Sequence, residues 1–178
     1  MTELDTQLKW FPVWTNIYYF VFAFISFFII WYKKNVFSKE IKVIIFFLFL
    51  EGVISTVHHL TSVEFKETED VPTYSKVLTI VDEAFVWILL LGPFILMYKT
   101  YTRTPHKTIM NLALFSLFIV TAIMAIACYF LDLHFEHKYK SPENYEMYDI
   151  FHGEWHTLSA FSYVFCFLFI IYNSKDNS

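Results

Sequence analysis

Charge is scarce in this chain and glycine scarcer still: of 178 residues only 17% are Asp, Glu, Lys or Arg, and only 3 are glycine. Set beside 57% hydrophobic and 22% aromatic residues, so little charge excludes a soluble domain, because a chain of this size has too little interior to hide that much apolar surface. The excess must face lipid. Cysteine is also short. Cys128 and Cys166 both fall inside apolar runs, so neither a disulfide nor a cysteine-type zinc motif is indicated, and cysteine is silent on the redox compartment. No internal repeat, low-complexity linker or soluble domain is present, and nothing points to a nucleic-acid partner. The first apolar run is preceded by Glu3, Asp5 and a single Lys9. Lacking a basic n-region and a small-residue cleavage site, and too long for a signal h-region, it reads as a retained helix.

What the chain has instead is five nearly charge-free runs, at about 11–32, 41–61, 76–98, 109–131 and 149–172. Each is about 20 residues, enough to cross about 30 Å of hydrocarbon as a helix. The expected fold is all-α: a single transmembrane domain over residues 1–178, built as an integral membrane bundle of five transmembrane helices. Eight of the 13 basic residues lie to one side of these spans, namely Lys33, Lys34, Lys39, Lys42, Lys99, Arg103, Lys107 and Lys175. That side is expected to be cytoplasmic. The acidic segment Glu64 to Asp70 and the mixed segment Asp132 to Asp149 then lie on the other side, with the N-terminus outside or luminal and the C-terminus cytoplasmic.

Orientation assigns a depth to every polar residue inside a span. His59 falls at the outer end of helix 2, Asp82 roughly one to two turns into helix 3, and His152 and His156 in the first turns of helix 5. All four share one outer layer, although none was used to choose the orientation. On helix 2, Glu51, Ser55 and His59 recur every four residues, each about 40° round and about 6 Å along from the last, which makes one polar stripe. Ionisable residues inside a membrane are costly and face a bundle interior or a wet cavity; a hydrogen-bonded packing stripe is the alternative for Glu51.

On helix 5, His152 and His156 sit one turn apart on one face, the spacing with which two imidazoles grip a metal ion. Such pairs also occur as packing residues. His59 offers a third nitrogen, Asp82 a carboxylate, and water could take the fourth place; three protein ligands plus water is the pattern of catalytic zinc. His58 competes with His59 but points about 100° away from the stripe, and Glu154 lies on the far face from His152. The run is HxExH, not HExxH, which argues against a zincin-type protease. Asp132, His134, Glu136 and His137 stand beside Lys138 and Lys140 and are read as a solvated outer loop.

Taken in order, Ser55-x-x-x-His59, Asp82-Glu83 with Trp87 a turn beyond, and His152-x-x-Trp155-His156 followed by Leu158-Ser159-Ala160 resemble the CREST superfamily of membrane hydrolases. The superfamily includes alkaline ceramidases, adiponectin-receptor-like proteins, lipid-remodelling factors of GPI anchors and the membrane part of systemic-RNA-interference proteins. STVHH and VDEAFVW look most like the alkaline ceramidases, HGEWHTLSA more like the RNA-interference branch. The resemblance implies that His59, His152 and His156 bind zinc, that Ser55 and Asp82 sit beside the activated water as catalytic residues, and that a membrane lipid is the substrate. The superfamily core has seven helices; the junctions here match best if its fourth and fifth are missing, an even number that preserves the orientation of the rest. In helix 1, PVWTN resembles a ceramidase segment whose acidic calcium ligand would fall at Pro12, so calcium is not implied.

The function expected is zinc-dependent hydrolysis of a lipid amide or ester. A non-catalytic, metal-stabilised membrane binding or remodelling protein is the second reading, and a metal-free five-helix sterol isomerase, suggested by helix count and by Leu91-Gly92-Pro93 before a basic loop, is the third. The topology is directly testable. Single cysteines placed at Glu67 and at Lys39 should label from opposite sides of the membrane; labelling from the same side would refute both the five-span count and the common depth built on it.

Overall fold

A computed structural model of the chain describes residues 10–32, 39–65, 73–103, 108–136 and 142–174. These form five helices, each long and apolar enough to cross a membrane, so the chain is a multi-pass membrane protein. Helix α1 is Ile17–Tyr32, preceded by a helical turn over residues 10–15 and a single turn residue at Asn16. Helices α2, α3, α4 and α5 are Lys39–Phe65, Thr73–Arg103, Ile109–Glu136 and Pro142–Ser174. The ends of α2 to α5 extend beyond the apolar runs that announce them, α4 to Glu136 and α5 back to Pro142. Hydropathy marks where lipid begins and ends, whereas a backbone keeps its internal hydrogen bonds past that boundary. Glu3, Asp5, Lys33, Lys34, Lys107 and Lys175, and most of the Glu64 to Asp70 segment, lie outside the described residues.

The helices α1, α2 and α3 each turn a narrow stripe inward. In α1 the buried residues are Tyr19, Ala23 and Ser26, four and then three apart, while Phe24, Phe28 and Trp31 face outward. In α2, Ile41, Ile45, Leu48, Ser55 and His59 continue one stripe from apolar to polar. The α3 stripe, Asp82, Val86, Leu89 and Met97, runs the other way, polar end first. These spacings of three, four, seven and eight are those of one helical face.

The backbones form a ring with an outrigger. α1 packs on α2, α2 on α3, α3 on α5 and α5 back on α1, while α4 lies outside, mainly against α5. Across the ring, α2 and α5 bring no Cα pair within 8 Å. Just over half of the apolar window of α5 is buried, at 56%, against 11% for α4, so α5 is the central helix. Lipid offers no hydrophobic driving force between helices, so packing and interhelical polar links must hold such a ring. One half is filled by an apolar cluster that includes Ile45, Leu48, Met97, Phe118, Tyr163 and Phe169. Hydroxyls of Thr56, Thr100, Thr121 and Thr157 each bond back to the carbonyl four residues earlier, which satisfies them without a neighbouring helix.

Gly153 lets the helical turn that precedes α1 approach α5. A Cβ built there would overlap the Phe11 ring, so the ring lies directly on the glycine backbone beside His152. Gly153→Ala should therefore cost about 1–3 kcal/mol, as overpacking does, and lower the thermal midpoint in detergent. Phe11→Leu in the same chain should recover part of the loss; an unchanged midpoint for Gly153→Ala alone would mean that the approach is not close.

Candidate metal centre

The gap between α2 and α5 is bridged by side chains. His59 reaches from the C-terminal part of α2, Asp82 from α3, and His152 and His156 from successive turns of α5, and one ligand atom from each lies within 4.8 Å of every other. All four residues are buried. The common layer expected from the sequence is thus a common site, although the expectation rested on membrane depth alone.

Three Nε2 atoms form a near-equilateral triangle: His152 to His59 is 3.1 Å, His156 to His152 3.1 Å, and His59 to His156 3.3 Å. Each such nitrogen either carries one proton or offers one lone pair, never both. Three mutual contacts therefore cannot all be hydrogen bonds. A single cation at the centre would satisfy every nitrogen at once, so this group of residues could hold a metal ion. The Asp82 Oδ2 atom stands 4.0 Å from His156 Nε2, at the margin of the triangle.

Further along the α2 stripe and beside it on α3 lie more buried polar atoms, Ser55 Oγ, both Glu51 carboxyl oxygens and Asp82 Oδ1. Ser55 and Glu51 both lie within side-chain hydrogen-bonding reach of the Asp82 carboxyl group, so the three make one polar cluster. An isolated carboxyl in an apolar interior is costly, and such groups cluster at ligand or water sites. The Glu51, Ser55, His59 stripe thus faces the centre along its length.

His58 is buried with its ring against that of His59, and it is not one of the four grouped residues. Glu154 faces outward. One expectation is overturned. Asp132, His134 and Glu136 are not loop residues but the last turns of α4. His134 is exposed, but Asp132 is buried, with Oδ2 3.0 Å from His152 Nδ1. The hydropathy boundary near residue 131 misled, because a carboxylate can end an apolar span when it points inward. A signal was present: Asn111, Phe118, Ala125 and Asp132 recur every seven residues and form the buried stripe of α4. His137, Lys138 and Lys140 lie outside the described residues. Tyr19 was not singled out at all, yet its hydroxyl lies 3.1 Å from His156 Nδ1 and 2.7 Å from Ser159 Oγ. One tyrosine among 12 carries no local mark.

Compared with known proteins, the chain matches no family model, no curated protein and no solved structure. The centre is therefore tested on its own residues. Elemental analysis of purified protein should find about one metal ion per chain, and His152→Ala and His156→Ala should each reduce it sharply. Unchanged metal in both variants would exclude this centre.

Proposed function

We propose that the chain is a zinc-dependent intramembrane hydrolase that cleaves a lipid amide or ester. The observation that carries this is the Nε2 triangle with edges of 3.1 to 3.3 Å. Tetrahedral zinc with Zn–N bonds of about 2.0–2.1 Å sets its ligands about 3.3–3.4 Å apart, so the imidazoles stand nearly at ligand spacing. Imidazole also suits copper, iron and nickel, but zinc takes four-coordinate tetrahedral sites by preference. Three nitrogens leave one position open, the arrangement of catalytic and not structural zinc. Zinc held there would supply Lewis acidity toward a carbonyl and an activated water at neutral pH.

The chain's own groups supply the rest. At 4.0 Å from His156 Nε2, Asp82 Oδ2 exceeds the edge of a tetrahedral ligand set, which favours a place beside the open position over a place in it. From there Asp82 accepts the proton of the attacking water and returns it to the leaving amine or alcohol. Ser55, buried next to Asp82, donates a hydrogen bond to that water or to the oxygen that becomes negative as the carbonyl is attacked.

Lipid is the substrate class because the access route is the bilayer. The site sits roughly one to two turns below the outer surface in the orientation given by the basic loops, with the N-terminus outside and the C-terminus cytoplasmic. A headgroup-linked acyl chain reaches that depth more readily than a water-soluble substrate does. The order Ser55, His59, Asp82, His152, His156 further supports placing the chain with the CREST membrane hydrolases, reduced from seven helices to five.

Asp82→Asn separates catalysis from metal holding. The substitution keeps size and shape and leaves three imidazoles in place, so zinc should stay bound. Hydrolysis across a panel of lipid amides and esters should fall by about 10²–10⁴-fold, the usual loss when general acid–base catalysis is removed. An Asp82→Asn protein that loses its zinc would make Asp82 a ligand. Bound zinc with no turnover of any panel lipid by the wild type would select the non-catalytic, metal-stabilised reading.

A further inference from the structure

The two histidines on α5 are each held from behind by a residue of a helix that brings no ligand. His152 Nδ1 lies 3.0 Å from Asp132 Oδ2 on α4. A carboxylate accepts and cannot donate, so the bond requires a His152 proton on Nδ1, and the neutral imidazole so held keeps its lone pair on Nε2. His156 is held through a chain of bonds whose direction can be followed. Ser159 Oγ donates to the His156 backbone carbonyl at 2.9 Å, which uses its only proton. Tyr19, whose hydroxyl is 2.7 Å from Ser159 Oγ, must then donate to that oxygen, and the Tyr19 oxygen is left to accept from His156 Nδ1 at 3.1 Å. The proton of His156 is again on Nδ1, and its Nε2 is bare.

Both partners thus impose the same tautomer, and the two bare nitrogens face each other across 3.1 Å. Lone pairs at that distance repel unless something positive lies between them. Neither residue is needed to tie its helix to the bundle: α4 packs closely along α5, and α1 meets α5 through Tyr18 and Phe22 against Phe161. Both polar bonds are spent on imidazole orientation.

We infer that Asp132 of α4 and Tyr19 of α1 are positioning residues that lock His152 and His156 with their Nε2 lone pairs on one point, preorganising the centre before any metal arrives. This rests on the metal reading of the centre and deepens it. The two partners differ in kind. Asp132 presents a carboxylate, which orients its imidazole and also makes it a more basic donor; Tyr19 presents a neutral hydroxyl, which orients only. The last turn of α4, from a helix otherwise facing lipid, becomes part of the centre, and all five helices contribute to it.

The test uses the full chain labelled with ¹⁵N-histidine, in detergent and stripped of metal by chelator. Ring ¹⁵N shifts, assigned by single His→Gln variants, should show His152 and His156 as Nδ1–H tautomers in the metal-free protein. Tyr19→Phe should release His156 alone and Asp132→Leu should release His152 alone. Zinc affinity, measured by chelator competition, should drop about 10–100-fold in each variant, and further for Asp132→Leu than for Tyr19→Phe. If Asp132→Leu does not fold, Asp132→Asn, which keeps volume, should still show a smaller affinity loss. Mixed tautomers at both histidines in the wild type, or wild-type zinc affinity in folded variants at both positions, would overturn the assignment. Locked tautomers in a wild type that binds no zinc would uphold the positioning and sink the metal reading, whereas tight zinc indifferent to both partners would do the reverse.

Discussion

Three imidazole nitrogens crowd within 3.3 Å of one another between two helices whose backbones do not touch, and the polar half of the bundle is arranged around that fact. In water such a cluster would simply be hydrated. Inside an apolar bundle each nitrogen needs a partner, and the partners have to come from protein or from a bound cation. α3 accordingly turns Asp82 toward the cluster, α2 carries Glu51 and Ser55 on the same stripe as His59, and α4 and α1 supply Asp132 and Tyr19 behind the α5 rings. Helix faces that would otherwise be indifferent to rotation are fixed by these needs. A turn of α4 by one residue would move Asp132 by about 100° and leave His152 Nδ1 without an acceptor.

The opposite half of the bundle is held by different physics. Ile45, Leu48, Met97, Phe118, Phe169 and their neighbours are close-packed and carry few polar atoms. In lipid this packing works through dispersion and fit, not through exclusion of water. Dense apolar packing thus holds one end of the frame, and converging polar groups occupy the other.

The fold class and the histidine set were readable from the chain because both rest on local signals. Five charge-free runs identify five spans, and spacings of four residues within a helix identify shared faces. Depth within the membrane then correlates residues far apart in sequence, which is how His59, Asp82, His152 and His156 could be associated without knowledge of helix packing. Helix arrangement was not readable, since nothing local tells α4 to lie outside the ring. Asp132 was lost for a related reason. It sits where an apolar run ends, and a boundary carboxylate looks the same whether it points to water or inward; only the seven-residue recurrence with Asn111, Phe118 and Ala125 distinguishes them. Tyr19 lay beyond reach altogether, since its role depends on which ring it meets across 137 residues of chain.

The placement of the centre also bears on what a metal there would be for. A structural metal earns its place where the chain would not otherwise hold together, as in small domains that are unfolded without it. Here His59 does tie α2 to α5 across the ring, but α2 is already packed on α1 and α3, and both of these are packed on α5. The tie is redundant for assembly. It is not redundant for chemistry: imidazole nitrogens brought together at a spacing close to that of tetrahedral ligands, with a carboxylate at the margin and further buried polar groups beside it, form an arrangement whose cost in an apolar medium has no return in packing. Buried polar groups that add nothing to assembly are the ordinary mark of a site kept for function, and that sets this centre apart from a staple.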